Sequence, residues 1–440
     1  MDHAALSVSA PERPASDVSP AVGWVGLAAL GLWVLVCREW AFVADLLRLG
    51  GPRMALSGPY AALAALLVTS LAMMAWSLAV DKVHRRGATG IDWSAPRGWR
   101  AAAETGAVKL VGLWATWALI GFFYCLFRYY WQGQYIFALR VIGAALVPMV
   151  VLSVPYVWWL DRVLIEPRDG AWHFGGFVMG READQGEILR HLRRWGVKGF
   201  FTAFMVSILP AGFAYVVEFD LSGVMARPAD LANGLIGLLF MVDVQIGTVG
   251  YLLTLRPLDS HIRSANPHLD GWLAALICYP PFVLMGSGGV LDYHPATAEW
   301  SAWLAAYPAL LWLWGGVLVA LTAVYAWATV AFGIRFSNLT YRGIITHGPY
   351  RLTRHPAYVS KNAFWWLSTM PFLATSGSAV DCIRNTCILA LVSATYYWRA
   401  RTEERHLLAE DAKYRAYHAW AEEGAPVTRW MGRILGPAAL

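Results

Sequence analysis

Long apolar runs separated by short polar connections dominate the chain. Runs of the length a helical bilayer span requires, about 20 residues, fall at 22–37, 60–80, 107–127, 141–160, 200–217, 231–255, 272–291 and 303–332. Two weaker runs follow at 358–374, which contains Lys361 and Pro371, and at 382–398, which contains Arg384. That pair reads as a short, tight helical hairpin. Residues 1–20 are polar, carry Pro11, Pro14 and Pro20, and lack the basic start and small-residue cleavage pattern of a secretory signal. They read as a flexible tail. The pattern therefore predicts an all-α polytopic membrane protein of about ten transmembrane helices, with a tail at 1–20, a bundle of about eight helices at 21–332 and a distinct C-terminal region at 333–440.

Charge orients this arrangement. The even-numbered connections hold roughly 19 Lys and Arg against roughly 7 in the odd-numbered ones, the bias expected when the even connections and both termini face the cytoplasm. The expected location is a cell membrane, the inner one if the source is bacterial. Composition agrees: 58% of the 440 residues are hydrophobic and 15% charged, which excludes a disordered chain and makes a single water-soluble globule improbable. The 24 Trp and 19 Tyr suit a chain with two water–lipid boundaries. A net charge of +6 is explained by basic loops near an anionic leaflet and requires no nucleic acid. Five cysteines with no CxxC pair read as small buried hydrophobes rather than a disulfide or zinc framework. The long polar connection at 161–199 reads as a basic amphipathic interfacial segment, with capture of an acidic headgroup as the sharper alternative. Asp243 and Gln245 lie mid-run. An intramembrane carboxylate is a functional candidate, although it can also serve only to satisfy a neighbouring helix.

Unusual residues concentrate after Phe332. Gly348-Pro349 makes a turn that lets backbone approach a ligand, and Pro356 suits the first turn of a following helix whose free N–H groups attract anions. Between them Arg351, Arg354 and His355 supply donors, although any positive-inside loop also collects arginines. Further on, the stretch 396–408 reads as the last span running on as an amphipathic helix into the cytoplasm, where Arg399 and Glu403 are four apart and can pair on one helical face, with Glu404, Tyr414 and Tyr417 beyond. His347, His355, His406 and His418 show no HExxH or comparable spacing, so no metal is expected.

The segments His347-Gly-Pro-Tyr350 and Arg354-His-Pro-Ala-Tyr358, and Arg399 with Glu403-Glu404 followed by Tyr414 and Tyr417, resemble the isoprenylcysteine carboxyl methyltransferase and phospholipid methyltransferase superfamily. The resemblance covers about 333–430. It implies an S-adenosylmethionine-dependent methyltransferase whose cofactor site lies on the cytoplasmic face and whose acceptor is a lipid or lipidated, membrane-embedded molecule. The implied cofactor set is His347, Gly348, Tyr350, Arg351, Arg354, His355, Pro356, Tyr358, Asn362, Arg399, Glu403, Glu404, Tyr414 and Tyr417. Arg354, His355, Glu403 and Glu404 are the expected catalytic groups, and Asp243, Trp365 and Trp366 are expected against the acceptor. Because Arg354 and Glu404 fall outside the apolar runs, replacing either is expected to spare folding. Ser360 and the stretch Asp411-Ala-Lys413 depart from the family pattern. Membrane sterol reductases, which share an Arg-His-Pro loop and an acidic C-terminal helix, offer the alternative of NADPH-dependent reduction of a carbon–carbon double bond. A non-catalytic lipid carrier would also use about ten spans.

Overall fold

The computed structural model describes residues 12–435. The helices run in chain order as α1 (Pro20–Arg38), α2 (Trp40–Leu46), α3 (Pro59–Ala79), α4 (Trp99–Leu126), α5 (Ile136–Val163), α6 (Gly170–Val178), α7 (Gln185–Glu218) and α8 (Pro228–Leu252). They continue as α9 (Leu269–Leu276), α10 (Trp300–Trp303), α11 (Pro308–Phe332), α12 (Pro356–Thr369), α13 (Ala379–Glu410), α14 (Ala412–Gly424) and α15 (Pro426–Leu435). Local chemistry explains the starts. Ser19 caps the Ala21 N–H of α1 and Asp184 caps the Glu187 N–H of α7, while α3, α8, α11 and α12 each open on proline, whose missing N–H costs nothing in a first turn.

Seven of these helices, α1, α3, α4, α5, α7, α8 and α11, are long and apolar enough to cross a membrane. The chain is an all-α, multi-pass membrane protein; among the described residues β structure is limited to the antiparallel pairing of Ser264–Ala265 on Thr340–Tyr341 and an isolated bridge between Ile91 and Leu164. Two expectations need correction. The run at 272–291 is not a span: α9 ends at Leu276, and Pro280, Pro281 and the glycines at 286, 288 and 289 follow in turns. Proline removes backbone donors and disfavours helix in the residue before it, so this apolar sequence crosses its part of the fold as irregular chain packed on protein. The run at 358–374 yields only the 14-residue α12, about 21 Å long against a hydrocarbon core of about 30 Å, because the chain turns at Met370 (φ 46°) before Pro371. The last run continues, as the amphipathic stretch at 396–408 leads one to expect, to Glu410, making α13 a 32-residue helix that carries its charged end beyond the apolar part.

The centre of the bundle is α8. Of its most apolar window 61% is buried in protein, against 6% for α5, which faces outward. Leu209 and Phe213 of α7, Val242, Ile246 and Val249 of α8, and Ala326 and Val330 of α11 form one packed cluster. In lipid such contacts act through close packing rather than escape from water.

The expected flexible tail is ordered from residue 12 onward, and residues 1–11 lie outside the described residues. The Asp17 N–H donates to the Ile344 carbonyl at 2.9 Å, the Ile344 N–H returns a bond to Asp17 Oδ2 at 2.8 Å, and Lys413 Nζ reaches Asp17 Oδ1 at 2.5 Å. The N-terminal segment and the C-terminal region thus share one end of the bundle. The connection at 161–199 is also more structured than expected: α6 packs on α4, and α7 already begins at Gln185.

A buried ion pair ties α4 to α5 and α6. Lys109 Nζ lies 2.5 Å from Asp161 Oδ1 and 3.1 Å from Asp169 Oδ2. Removing one partner strands a buried charge, so Lys109→Ala is expected to destabilise the detergent-solubilised protein by about 3–5 kcal/mol, whereas the double change Lys109→Met with Asp161→Leu recovers most of the loss. Thermal unfolding of the three proteins checks this; equal stability of wild type and Lys109→Ala would refute it.

Candidate active site

The loop between α11 and α12 is held by one arginine. Arg342, buried, donates from Nε to the Ser260 carbonyl at 2.7 Å, from NH1 to the Gly250 and Phe336 carbonyls at 2.8 Å each, and from NH2 to the Ile334 carbonyl at 3.0 Å. Arg335 pairs with Asp259 at 2.5 Å and donates to the Arg342 carbonyl at 3.0 Å. These bonds satisfy backbone oxygens that the irregular loop leaves open. Gly348 sits at φ 59°, where a Cβ would meet the Trp327 indole nitrogen at 3.1 Å, so glycine is required for the turn into Tyr350.

The loop then meets the charged end of α13. Arg354 Nε and His355 Nε2 lie 2.8 and 2.9 Å from Glu404 Oε1, and Arg401 NH1 lies 3.1 Å from Oε2. Burial pushes the Glu404 carboxyl up, but the His355 hydrogen bond and the charges of His355, Arg354 and His418 outweigh it and hold the group at about 2. Arg354 and Glu404 are each buried. They are therefore structural as well as polar, and the expectation that their replacement spares folding is corrected. Arg354 Nε is close enough to Glu404 to pair in charge, yet neither Nε nor NH1 meets hydrogen-bond geometry with any group among the described residues.

Glu403 faces the other way. The Tyr358 hydroxyl donates to its Oε1 at 2.5 Å and Arg399 Nε lies 3.3 Å from the same oxygen. Arg399, also buried, donates from NH2 to Asn338 Oδ1 at 2.5 Å and stacks over the Tyr358 and Tyr279 rings, 5.1 and 5.4 Å from their centroids. The Tyr417 hydroxyl donates to the Tyr350 carbonyl at 2.8 Å, fastening α14 across the loop.

These groups surround a cleft of about 1260 Å³, its open mouth included. Of the residues singled out in the sequence, Tyr350, Arg354, His355, Pro356, Tyr358, Arg399, Glu403, Tyr414 and Tyr417 line it. Others do not. Glu404 stands behind the wall. His347 Nδ1 bonds Ser16 Oγ at 2.9 Å, Gly348 serves the turn, and Arg351 is exposed. Asn362 donates to the Tyr358 carbonyl at 2.8 Å, one turn back along α12. Trp366 donates to Ser393 Oγ at 3.1 Å and Trp365 packs edge-on against Tyr396, so both join α12 to α13. Asp243 lies one layer back, accepting from the Thr329 hydroxyl and, at 2.8 Å, from the Tyr325 hydroxyl.

The cleft also takes in Tyr279, Tyr325, Asn338, Lys361 and Tyr396, none of which the sequence placed there. Only Lys361, a lysine inside an apolar run, carried a visible signal. Tyr279 and Tyr325 are aromatic residues in apolar runs, indistinguishable from packing until the fold aims them. No family model, curated protein or solved structure matches this chain.

The Glu404 value sets a pH dependence. A carboxyl whose folded value lies below its free value of about 4.3 adds stability that is complete above about pH 5 and lost as pH falls toward the folded value. Glu404→Gln is expected to cost about 3 kcal/mol near neutral pH, with the gap to wild type narrowing as pH drops from about 6 to about 3. Paired unfolding curves across that range measure it; a gap that stays constant would refute the assignment.

Proposed function

We propose that this protein is a membrane methyltransferase that moves a methyl group from S-adenosylmethionine to a lipidic or lipidated acceptor. The observation that carries this reading is the continuity of the cleft. It begins among the charged and polar groups Arg354, His355 and Glu403 at the end of the bundle and extends to Tyr325 and Lys361, on helices of the apolar part. A water-soluble donor and an oily acceptor need such a shared space.

The residues fit the donor. Arg354 Nε is turned to Glu404, but NH1, with Glu422 Oε1 3.6 Å away, makes no hydrogen bond among the described residues and suits an amino-acid carboxylate. Both contacts of Glu403 fall on Oε1, which leaves Oε2 for an ammonium. Tyr350, Tyr414 and Tyr417 line the loop end of the cleft. S-Adenosylmethionine, when bound, supplies an electrophilic methyl on a sulfonium. The chain's task is alignment and dehydration, for which effective-molarity arguments allow about 7–11 kcal/mol. His355 is committed to Glu404, so a proton from an amine or hydroxyl acceptor falls to Glu403. A carboxylate acceptor needs no base.

One observation favours a second reading. The Tyr325 hydroxyl lines the cleft with Asp243 directly behind it, a buried acid pair of the kind that protonates carbon after hydride delivery from NADPH. Thermal unfolding of the detergent-purified protein separates the two. S-Adenosylmethionine and S-adenosylhomocysteine are expected to raise the melting temperature, by the equivalent of about 2.7 kcal/mol at a hundred times the dissociation constant, and NADPH to leave it unchanged. Glu403→Gln is expected to lose at least tenfold in affinity. Stabilisation by NADPH alone would overturn methyl transfer in favour of reduction, and no response to any of the three would favour a lipid carrier.

The basic connections support an orientation with this end of the bundle in the cytoplasm. With the irregular 277–299 segment carrying the chain back along the bundle and α12 and α13 forming a hairpin that leaves and returns to the same end, both ends of the described chain lie on one side. A cysteine placed at exposed Glu182 in a cysteine-free background is expected to resist an impermeant reagent added outside intact cells. Ready labelling would invert the orientation.

A further inference from the structure

In the cleft a lysine has been left without a partner of opposite charge. Lys361 lies five residues into α12, about 7.5 Å along the helix from Pro356. Its Nζ is 5.3 Å from the Tyr325 ring centroid, 5.2 Å from that of Trp365 and 5.7 Å from that of Tyr396. Among the described residues Nζ donates no hydrogen bond and has no carboxylate within pairing distance, although it lines the cleft. The nearby charges are already engaged: Asp243 accepts from Tyr325 and Thr329, and Arg399 pairs with Glu403 and Asn338.

Three aromatic faces hold an ammonium in place by their negative quadrupoles but accept none of its three N–H donors in the way an oxygen does. An ionisable side chain at membrane depth is costly unless something compensates it, and such groups mark the path of a charged ligand. We propose that Lys361 is the seat for the anionic group, a carboxylate or phosphate, of the amphiphile that enters the cleft. The inference rests on the methyl-transfer reading of the same cleft and narrows its acceptor to an acidic lipid. In this arrangement the donor is gripped at the loop end by Arg354 and Glu403, and the acceptor is registered from the membrane side by the anion on Lys361. Neutral lipids of the same length would find the aromatic cage but no charge match.

The test uses the full chain in an uncharged detergent, titrated with oleate, oleoyl lysophosphatidate, methyl oleate and oleyl alcohol while thermal unfolding is followed. At least one of the two anions is expected to bind tenfold or more tightly than both neutral lipids, and the preferred anion identifies carboxylate or phosphate. Lys361→Met is expected to reduce that anion's affinity at least tenfold and Lys361→Arg to keep it within about threefold, with the S-adenosylhomocysteine response equal in all three proteins. Equal binding of anionic and neutral lipids by wild type, or an anion preference that survives in Lys361→Met, would overturn the proposal. Should Lys361→Met fail to fold, the wild-type comparison and Lys361→Arg still decide. Anion preference without any S-adenosylhomocysteine response would uphold the seat on Lys361 and defeat methyl transfer instead.

Discussion

A single buried carboxylate organises the C-terminal region. Glu404 draws Arg354 and His355 from the loop before α12 and Arg401 from its own helix, with His418 of α14 4.0 Å away. Burying a charge is tolerable only when several well-placed partners replace water, and here those partners come from three elements. The contact therefore does more than neutralise. It sets the rotation of α13, and since successive helical residues are about 100° apart, anchoring Glu404 in the wall turns Glu403 toward the cleft. Two adjacent glutamates of identical chemistry are thereby given different tasks.

The remaining geometry follows from how the polar loop is kept in shape between two apolar masses. Arg342 spends its donors on carbonyls from α8, from the connection after it and from the turn after α11. The short strand pairing of Ser264–Ala265 with Thr340–Tyr341 braces the same region from outside. With the loop fixed, the cleft is floored by α11 and α12 and closed by α14, whose Tyr414 and Tyr417 pack with Tyr350 and Ile345. The large N-terminal bundle supplies the platform through α8, which carries Asp243 toward α11.

Much of this was legible in the amino-acid pattern, for physical reasons that also explain the misses. Spans announce themselves because lipid demands uniformly apolar helices of a set length, and seven did so plainly. The run at 272–291 was apolar for a different cause: irregular chain packed inside protein needs apolar side chains too, and hydropathy does not distinguish the two. The prolines and glycines there held the missing information. At the site, Arg354, Tyr358, Arg399 and Glu403 stood out through the motif resemblance, since on composition alone a basic loop and an i,i+4 ion pair are ordinary. The separate fates of Arg351, exposed, and Arg354, buried, depend on which way a loop faces, which no spacing rule encodes. Trp365 and Trp366 proved to be glue between helices, as abundant tryptophans in membrane proteins often are.

The pairing of Asp17 with Ile344 and Lys413 joins the start of the described chain to segments more than three hundred residues later. A ribosome delivers residue 17 into its surroundings long before it has made residue 413, so the N-terminal segment must wait through the insertion of nearly the entire bundle before its partners exist. The closing stitch of the molecule consequently forms only once α14 has been made, and a chain cut short before α14 would keep the Ile344 bonds but lose the Lys413 half of that stitch, at the very end where the pocket forms.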